Sequence, residues 1–211
     1  MVITEATAVH PHTTGLPHTP YIYTDEQIKS WKPVRSSFVF PYPFQRCQLI
    51  RGSILKIMDS VHKKGSFTYL QRWAIGPTAI PQVLDFENPG QNVVPVGPSD
   101  VKVSGASVAP RPLTIPEIKG YVQWFKRAAK VAVNQVGFNG VMVHGANGHL
   151  IDQFLQDVSN KRTDEYGGSI ENRAKFALEI LEAVTQSIGE DRASIRVGPW
   201  GTMYGERVIP F

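Results

Sequence analysis

The segment "FNGVMVHGANGHLIDQFLQD", residues 138–157, decides the fold. Its first six residues read as a β-strand, an apolar run of strand length with Val141, Met142 and Val143 behind Gly140. Directly after the run come His144, Asn147 and His149. Polar residues gathered where a buried strand ends are what a parallel α/β architecture places at its working face. The neighbouring sequence must therefore be tested for alternation of strands and helices.

That alternation is present. Val2 to Val9 is a short β-prone run, and Ser66 to Trp73 ("SFTYLQRW") is a second. Between them, "TDEQ" at residues 24–27 forms a capping box that should start a helix through Ile28 and Trp31, stopped by Pro33. A second helical stretch is expected over residues 53–64, with Ile54, Ile57, Met58 and Val61 in register and Gly65 as terminator. Residues 76–112 read as a Pro- and Gly-rich loop. "TIPE" at 114–117 is another capping box, followed by a stripe of Ile118, Tyr121, Val122, Phe125, Ala129, Ala132 and Val136 up to Gly137. After the 138–143 strand comes a helix with Ala177, Ile180, Leu181, Val184 and Ile188 on one face, then a strand over 193–198. The order βαβαβαβ predicts parallel βα units. No G-x-G-x-x-G follows any strand, which disfavours a dinucleotide-binding doubly wound sheet. The predicted fold class is α/β, a partial (β/α)8 TIM barrel of about four parallel strands with intervening helices.

Bulk properties exclude several classes. The chain has 211 residues, 42% hydrophobic and 19% charged, with a net charge of +4. The basic residues are scattered, so no nucleic-acid partner is expected. No run of 18 apolar residues exists, so no membrane partner is expected either. The N-terminus lacks the basic region and long apolar core of a secretory signal. Cys47 is alone, so no internal disulfide forms, and a cytoplasmic location follows as the default. No metal site is expected.

Each polar residue at a strand end has a plain structural alternative. His144 could be a core histidine satisfied by a carbonyl, and Asn147 beside Gly148 could simply make a turn. Gln71 alone is uninformative. Arg196 in "SIRVG" reads as a buried charge, and burial of an arginine calls for a nearby anion or electron-rich ligand. Four such groups at three strand ends favour a site.

The same segments carry a family resemblance. "HGANGHLIDQFLQDVSNKRTDEYGGSIENRAKFALEI" closely resembles the old yellow enzyme family of flavin-dependent ene-reductases. "VITEATAV", "YTDEQIKSWK", "VHKKG", "YLQRW" and "SVAPRPLTIPEIKGYVQWFKRAAK" fit that family in the same order. The resemblance implies a barrel with FMN at its C-terminal face, NADPH or NADH as reductant, and reduction of the C=C bond of an α,β-unsaturated carbonyl compound, a small enone. It implies that His144 and Asn147 hold the substrate carbonyl oxygen. It further implies that Gln71 contacts the flavin pyrimidine edge, that Arg196 lies near flavin N1, that Ala6 gives the flavin room, and that Trp73 lines the substrate pocket.

Four departures from the family pattern bear on function. His149 stands where the family usually has the tyrosine that protonates the α-carbon; histidine titrates near roughly 6.5 and tyrosine near roughly 10, so slower or redirected protonation is expected. Arg72 occupies a generally apolar position; if Gln71 faces the flavin, Arg72 faces the helices, where an unpaired charge is destabilising. Residues 35–56 read as a non-family insertion, either a family-specific loop or translated non-coding sequence. The chain is short: the four strands correspond to the second to fifth of the family, so the first, the sixth to eighth and the FMN phosphate site are expected to be missing. The whole of 1–211 then reads as one incomplete barrel domain, expected to self-associate through open barrel edges. Two other readings remain at this stage. One is a flavin-free fragment, inert or acting as an interaction module. The other is a flavin-independent enone isomerase using His144 and His149 as an acid/base pair.

Overall fold

β-Branched and aromatic runs form the sheet. The computed structural model describes residues 1–25, 27–28 and 58–203. The helix expected through Trp31, the start of the 53–64 helix, the 35–56 insertion and the last eight residues lie outside the described residues. Four strands, β1 (Val2–Ala8), β2 (Thr68–Trp73), β5 (Gly140–Gly145) and β6 (Ala193–Val197), pair in that order, and every pairing is parallel. Parallel neighbours require crossovers, and among the described residues helices at 115–131 and 170–188 supply those from β2 to β5 and from β5 to β6. This is half of a (β/α)8 barrel, as the alternation predicts.

The helices begin where the capping residues place them. Thr114 caps α2 (Ile115–Val131): its Oγ1 accepts from the backbone N–H of Glu117, and the Glu117 carboxylate accepts the Thr114 N–H at 2.8 Å. A π-helical turn over Ala132–Val136 continues it, and Gly137 at φ 99° ends it. Ser169 caps α4 (Ile170–Ile188) through the Asn172 N–H. Near the N-terminus, Gln27 Oε1 accepts the Thr24 N–H and Thr24 Oγ1 accepts the Gln27 N–H, the reciprocal pair expected there.

The 76–112 segment is more ordered than a Pro- and Gly-rich loop. It holds a 3-10 turn (Gly76–Thr78), helix α1 (Pro81–Glu87), and two short strands, β3 (Val96–Gly97) and β4 (Arg111–Pro112), which pair in parallel. Pro81 starts α1 instead of breaking it, because the first helical position needs no N–H donor. A further short helix, α3 (Leu150–Leu155), follows the His149 turn.

Register sorts the side chains between two faces. Ala6, Gln71, Met142 and Ser194 stand side by side, and one step further along so do Ala8 with Trp73 and His144 with Arg196. These point to the barrel interior. Thr7, Arg72, Val143 and Ile195 alternate to the other face. There the main core forms: Leu70, Val141 and Val143 pack with Ile118, Phe125, Ile180 and Val184 of α2 and α4. A smaller cluster, Ala8, Trp73, Ile75, Ala79 and Leu84, covers the C-terminal rim.

Two expectations about arginines change. Arg72 does face the helix side and is fully buried, but it is not without partners. Its two terminal nitrogens donate to the carbonyls of Ala8 at 3.1 Å and Ile22 at 3.2 Å. Among the described residues peptide dipoles, not a carboxylate, take up its charge, and burial pushes the guanidinium down to about 9. Its Nε has no hydrogen-bond partner among the described residues. Arg196 is exposed rather than buried. It sits on β6, which has a strand neighbour on one side only, so nothing described covers it.

Candidate active site

The candidate site is built at the C-terminal ends of β2 and β5. His144 is the penultimate residue of β5 and is 4% exposed. Burial first, and then the Arg196 guanidinium beside it, hold its imidazole down at about 4. It is therefore neutral at pH 7. Its Nδ1 is sealed from solvent with no hydrogen-bond partner among the described residues. A buried polar atom left unmatched costs free energy, so such a group marks a place worth explaining.

A turn carries the next two residues. Asn147 adopts a left-handed φ of 58° and Gly148 follows at 72°. Asn147 is thus both a turn residue and half-buried beside the strand end. The Gly148 N–H donates to Asp152 Oδ2 at 3.0 Å, which ties the turn to α3. His149 immediately precedes α3 and is 8% exposed. Burial, then His144, outweighs a backbone hydrogen bond to Ile75 and brings it down to about 3. The sequence expectation of a partly neutral His149 used the reference value; burial makes it wholly neutral at pH 7.

Trp73 completes a group of three rings. Its plane is nearly parallel to His144 at 6.2 Å, and His149 stands edge-on to both, at 4.6 Å from Trp73 and 5.1 Å from His144. The Trp73 Nε1 is also buried without a partner among the described residues. One layer below, Gln71 Nε2 donates to the Thr4 carbonyl at 3.3 Å, while its Oε1 is buried and has no partner among the described residues. Ala6 is level with Gln71 on β1. Arg196 is level with His144 on β6. The fold therefore brings Ala6, Gln71, Trp73, His144 and Arg196 onto one face, with Asn147 and His149 on the turn above it.

Sequence reasoning missed two contributors. Thr78 Oγ1 lies 3.4 Å from His149 Nδ1 and donates to the Ile75 carbonyl, so it helps fix the ring. Thr4 holds Gln71 from the neighbouring strand through both its carbonyl and its hydroxyl. Neither carries a sequence signal, because a loop threonine and a strand threonine are common.

A family model for NADH:flavin oxidoreductase / NADH oxidase matches residues 51–207. The chain belongs to that family. It is 40% identical over 208 residues to the chanoclavine-I aldehyde reductase fgaOx3 of Penicillium roqueforti, covering 99% of this chain and 49% of that protein. It is 38% identical over 205 residues to a 12-oxophytodienoate reductase 1 of Oryza sativa subsp. japonica, covering 95% and 46%. A relative from Claviceps purpurea (strain 20.1), 38% identical over 205 residues with 97% and 47% coverage, is described as a probable inactive dehydrogenase, easA. Among solved structures, Old Yellow Enzyme from Pichia sp. AKU4542 superposes with a TM-score of 0.77 at 34% identity, over 97% of this chain and 48% of that one. Morphinone reductase superposes at 0.78 and 33%, over 97% and 51%. The chain spans about half the length of the curated relatives it matches. It is a member of the old yellow enzyme family that holds half of the barrel.

The residues present fit one side of a flavin. Gln71 Oε1 is an acceptor on the barrel face with no partner among the described residues, and Ala6 beside it leaves the backbone approachable. An acceptor there suits a ring-edge N–H.

Proposed function

We propose that this chain supplies the isoalloxazine-facing and substrate-facing part of an FMN-dependent oxidoreductase that reduces the C=C bond of α,β-unsaturated carbonyl compounds. His144 carries the reading: a neutral, buried imidazole whose Nδ1 has no hydrogen-bond partner among the described residues, level with the end of a barrel strand. FMN bound against Ala6, Gln71 and Arg196 would supply hydride obtained from NADPH or NADH.

The chain's own residues then do three things. His144 and Asn147 donate N–H groups to the substrate carbonyl oxygen. Both are neutral donors, so they gain strength as negative charge develops on that oxygen, the logic of an oxyanion hole. Trp73 closes the side of the pocket against His144 and His149 and keeps water out. His149 stands where a proton must reach the α-carbon. As a neutral imidazole it is a weak acid at pH 7, so protonation is slow at this position. The low values of both histidines also make them weak bases, which favours the reductive reading over a flavin-independent isomerase.

The first test is to purify the chain with added FMN and record its visible spectrum after gel filtration. Co-eluting flavin that is bleached by NADPH supports the proposal; a colourless protein peak overturns it for this chain. The second test compares 2-cyclohexenone reduction by the parent and His149→Tyr across pH 5–9. A phenol at this position is expected to raise the rate about tenfold or more and change the pH profile. Identical profiles would remove His149 from the protonation step.

A further inference from the structure

His149 is neutral at pH 7, so its ring carries one N–H and one bare nitrogen. Which nitrogen holds the hydrogen decides what the ring can do to a bound molecule. That choice is set by the hydrogen bonds the ring makes to its surroundings. In this chain those partners come from the loop after β2.

Two oxygens of that loop meet the ring. Thr78 Oγ1 lies 3.4 Å from His149 Nδ1. The ring also donates to the Ile75 carbonyl. These oxygens are themselves coupled: Thr78 Oγ1 donates its own hydrogen to the Ile75 carbonyl at 3.3 Å. A hydroxyl has a single hydrogen, so towards Nδ1 the Thr78 oxygen offers a lone pair. A hydrogen on Nδ1 then satisfies both acceptors. A bare Nδ1 would instead set one lone pair against another at Thr78.

The backbone holds the loop and the ring in this register. The Leu150 N–H, one residue past His149, donates to the Ala74 carbonyl at 3.2 Å. The Ile75 N–H donates to the Thr13 carbonyl at 3.1 Å, which ties the loop to the segment after β1. Gly76 packs so close that an added Cβ would lie 2.9 Å from Leu150 Cα. We propose that Thr78 is a positioning residue: with the Ile75 carbonyl it holds His149 as the Nδ1–H tautomer, so that Nε2 carries a lone pair. The only ring hydrogen is then turned to the loop. His149 can accept a hydrogen bond from a bound molecule, but it cannot hand a proton to the α-carbon. Slow protonation at this position then has a cause beyond weak acidity. The tautomer itself stands apart from the redox reading; only its consequence for protonation rests on that reading.

The test is long-range nitrogen–proton NMR of the nitrogen-15-labelled chain at neutral pH, without FMN. The two ring nitrogens of a neutral histidine differ in shift according to which is protonated. The chain has six histidines, so the His149 signals are assigned by their loss in His149→Gln. The expected result is a protonated Nδ1 and a bare Nε2 at His149. Thr78→Val removes the hydroxyl at nearly constant volume and lowers the ratio of Nδ1–H to Nε2–H about fivefold, the equivalent of one hydrogen bond. Thr78→Ser, which keeps the hydroxyl, restores the parent ratio. A parent ring protonated mainly at Nε2, a doubly protonated ring, or a ratio unmoved by Thr78→Val overturns the proposal. The parent spectrum decides the tautomer even should Thr78→Val fail to fold. A colourless chain with the Nδ1–H ring would remove the proposed reduction and leave the tautomer standing. A flavin-bound chain with the Nε2–H ring would overturn the tautomer alone.

Discussion

At the scale of single residues, burial acts most strongly on the histidines. His144 and His149 are held at about 4 and about 3, below the usual value near 6.5. Between those values the unfolded chain binds protons that the folded chain does not. Stability contributed by keeping these rings neutral is therefore fully present above about pH 6.5 and falls as the pH drops toward 4 and 3. Each histidine contributes up to about 1.4 kcal/mol of loss per pH unit in that window. Urea unfolding at pH 7.5, 6 and 5 should show midpoints that fall with pH, and His144→Gln combined with His149→Gln should flatten the trend. A midpoint independent of pH in the parent would show that both rings are solvated. The same scale explains what the sequence hid. His144 and Asn147 stood out because they end an apolar run. The exposure of Arg196 did not, because whether a strand lies at an edge is decided by its neighbours and not by its own residues.

At the scale of elements, the site depends on how closely two loops approach. Gly76, at φ 69°, lies so near the start of α3 that a Cβ would come within 2.8 Å of Leu150 Cβ. The Leu150 N–H also donates to the Ala74 carbonyl, so the loop after β2 fixes the start of α3 and with it His149. Gly76→Ala combines a positive φ with a clash against backbone and should cost about 2–3 kcal/mol. It should also displace His149 and alter the pH profile of any measured activity more than Thr78→Ala does. A Tm unchanged from the parent would disprove the close approach. Strands and capped helices were legible because each carries local chemistry: Thr114 and Glu117, Thr24 and Gln27, the stripe from Ile118 to Val136. Helix α1 was not. Pro81 is punctuation in sequence and a helix start in space, and only the packing of Leu84 into the rim cluster tells the two apart.

At the scale of the molecule, β1 and β6 each have a strand neighbour on one side among the described residues. Val2 and Ile3 on β1 and Val197 on β6 are exposed, the last at 55%. Unpaired parallel edges with apolar side chains invite further strands. We propose that the 211-residue chain on its own self-associates through these edges. Gel filtration with light scattering should give a mass above that of one chain, and a double variant, Ile3→Lys with Val197→Lys, should return it toward one chain. A single-chain mass for the parent across micromolar concentrations would refute this.

The separation of the two sheet faces described above has a mutational meaning. Gln71, Trp73 and His144 stand on the barrel side, while Leu70, Val141 and Val143 pack into the helices from the other. The backbone between them is a rigid partition, so the side chains that hold the chain together and those that face a ligand share few partners. Changes on the two faces should then add: in a double-mutant cycle, Gln71→Leu with Ile180→Val should give a stability coupling within about 0.5 kcal/mol of zero. A half barrel organised this way can exchange a side chain on its barrel face without renegotiating its foldability.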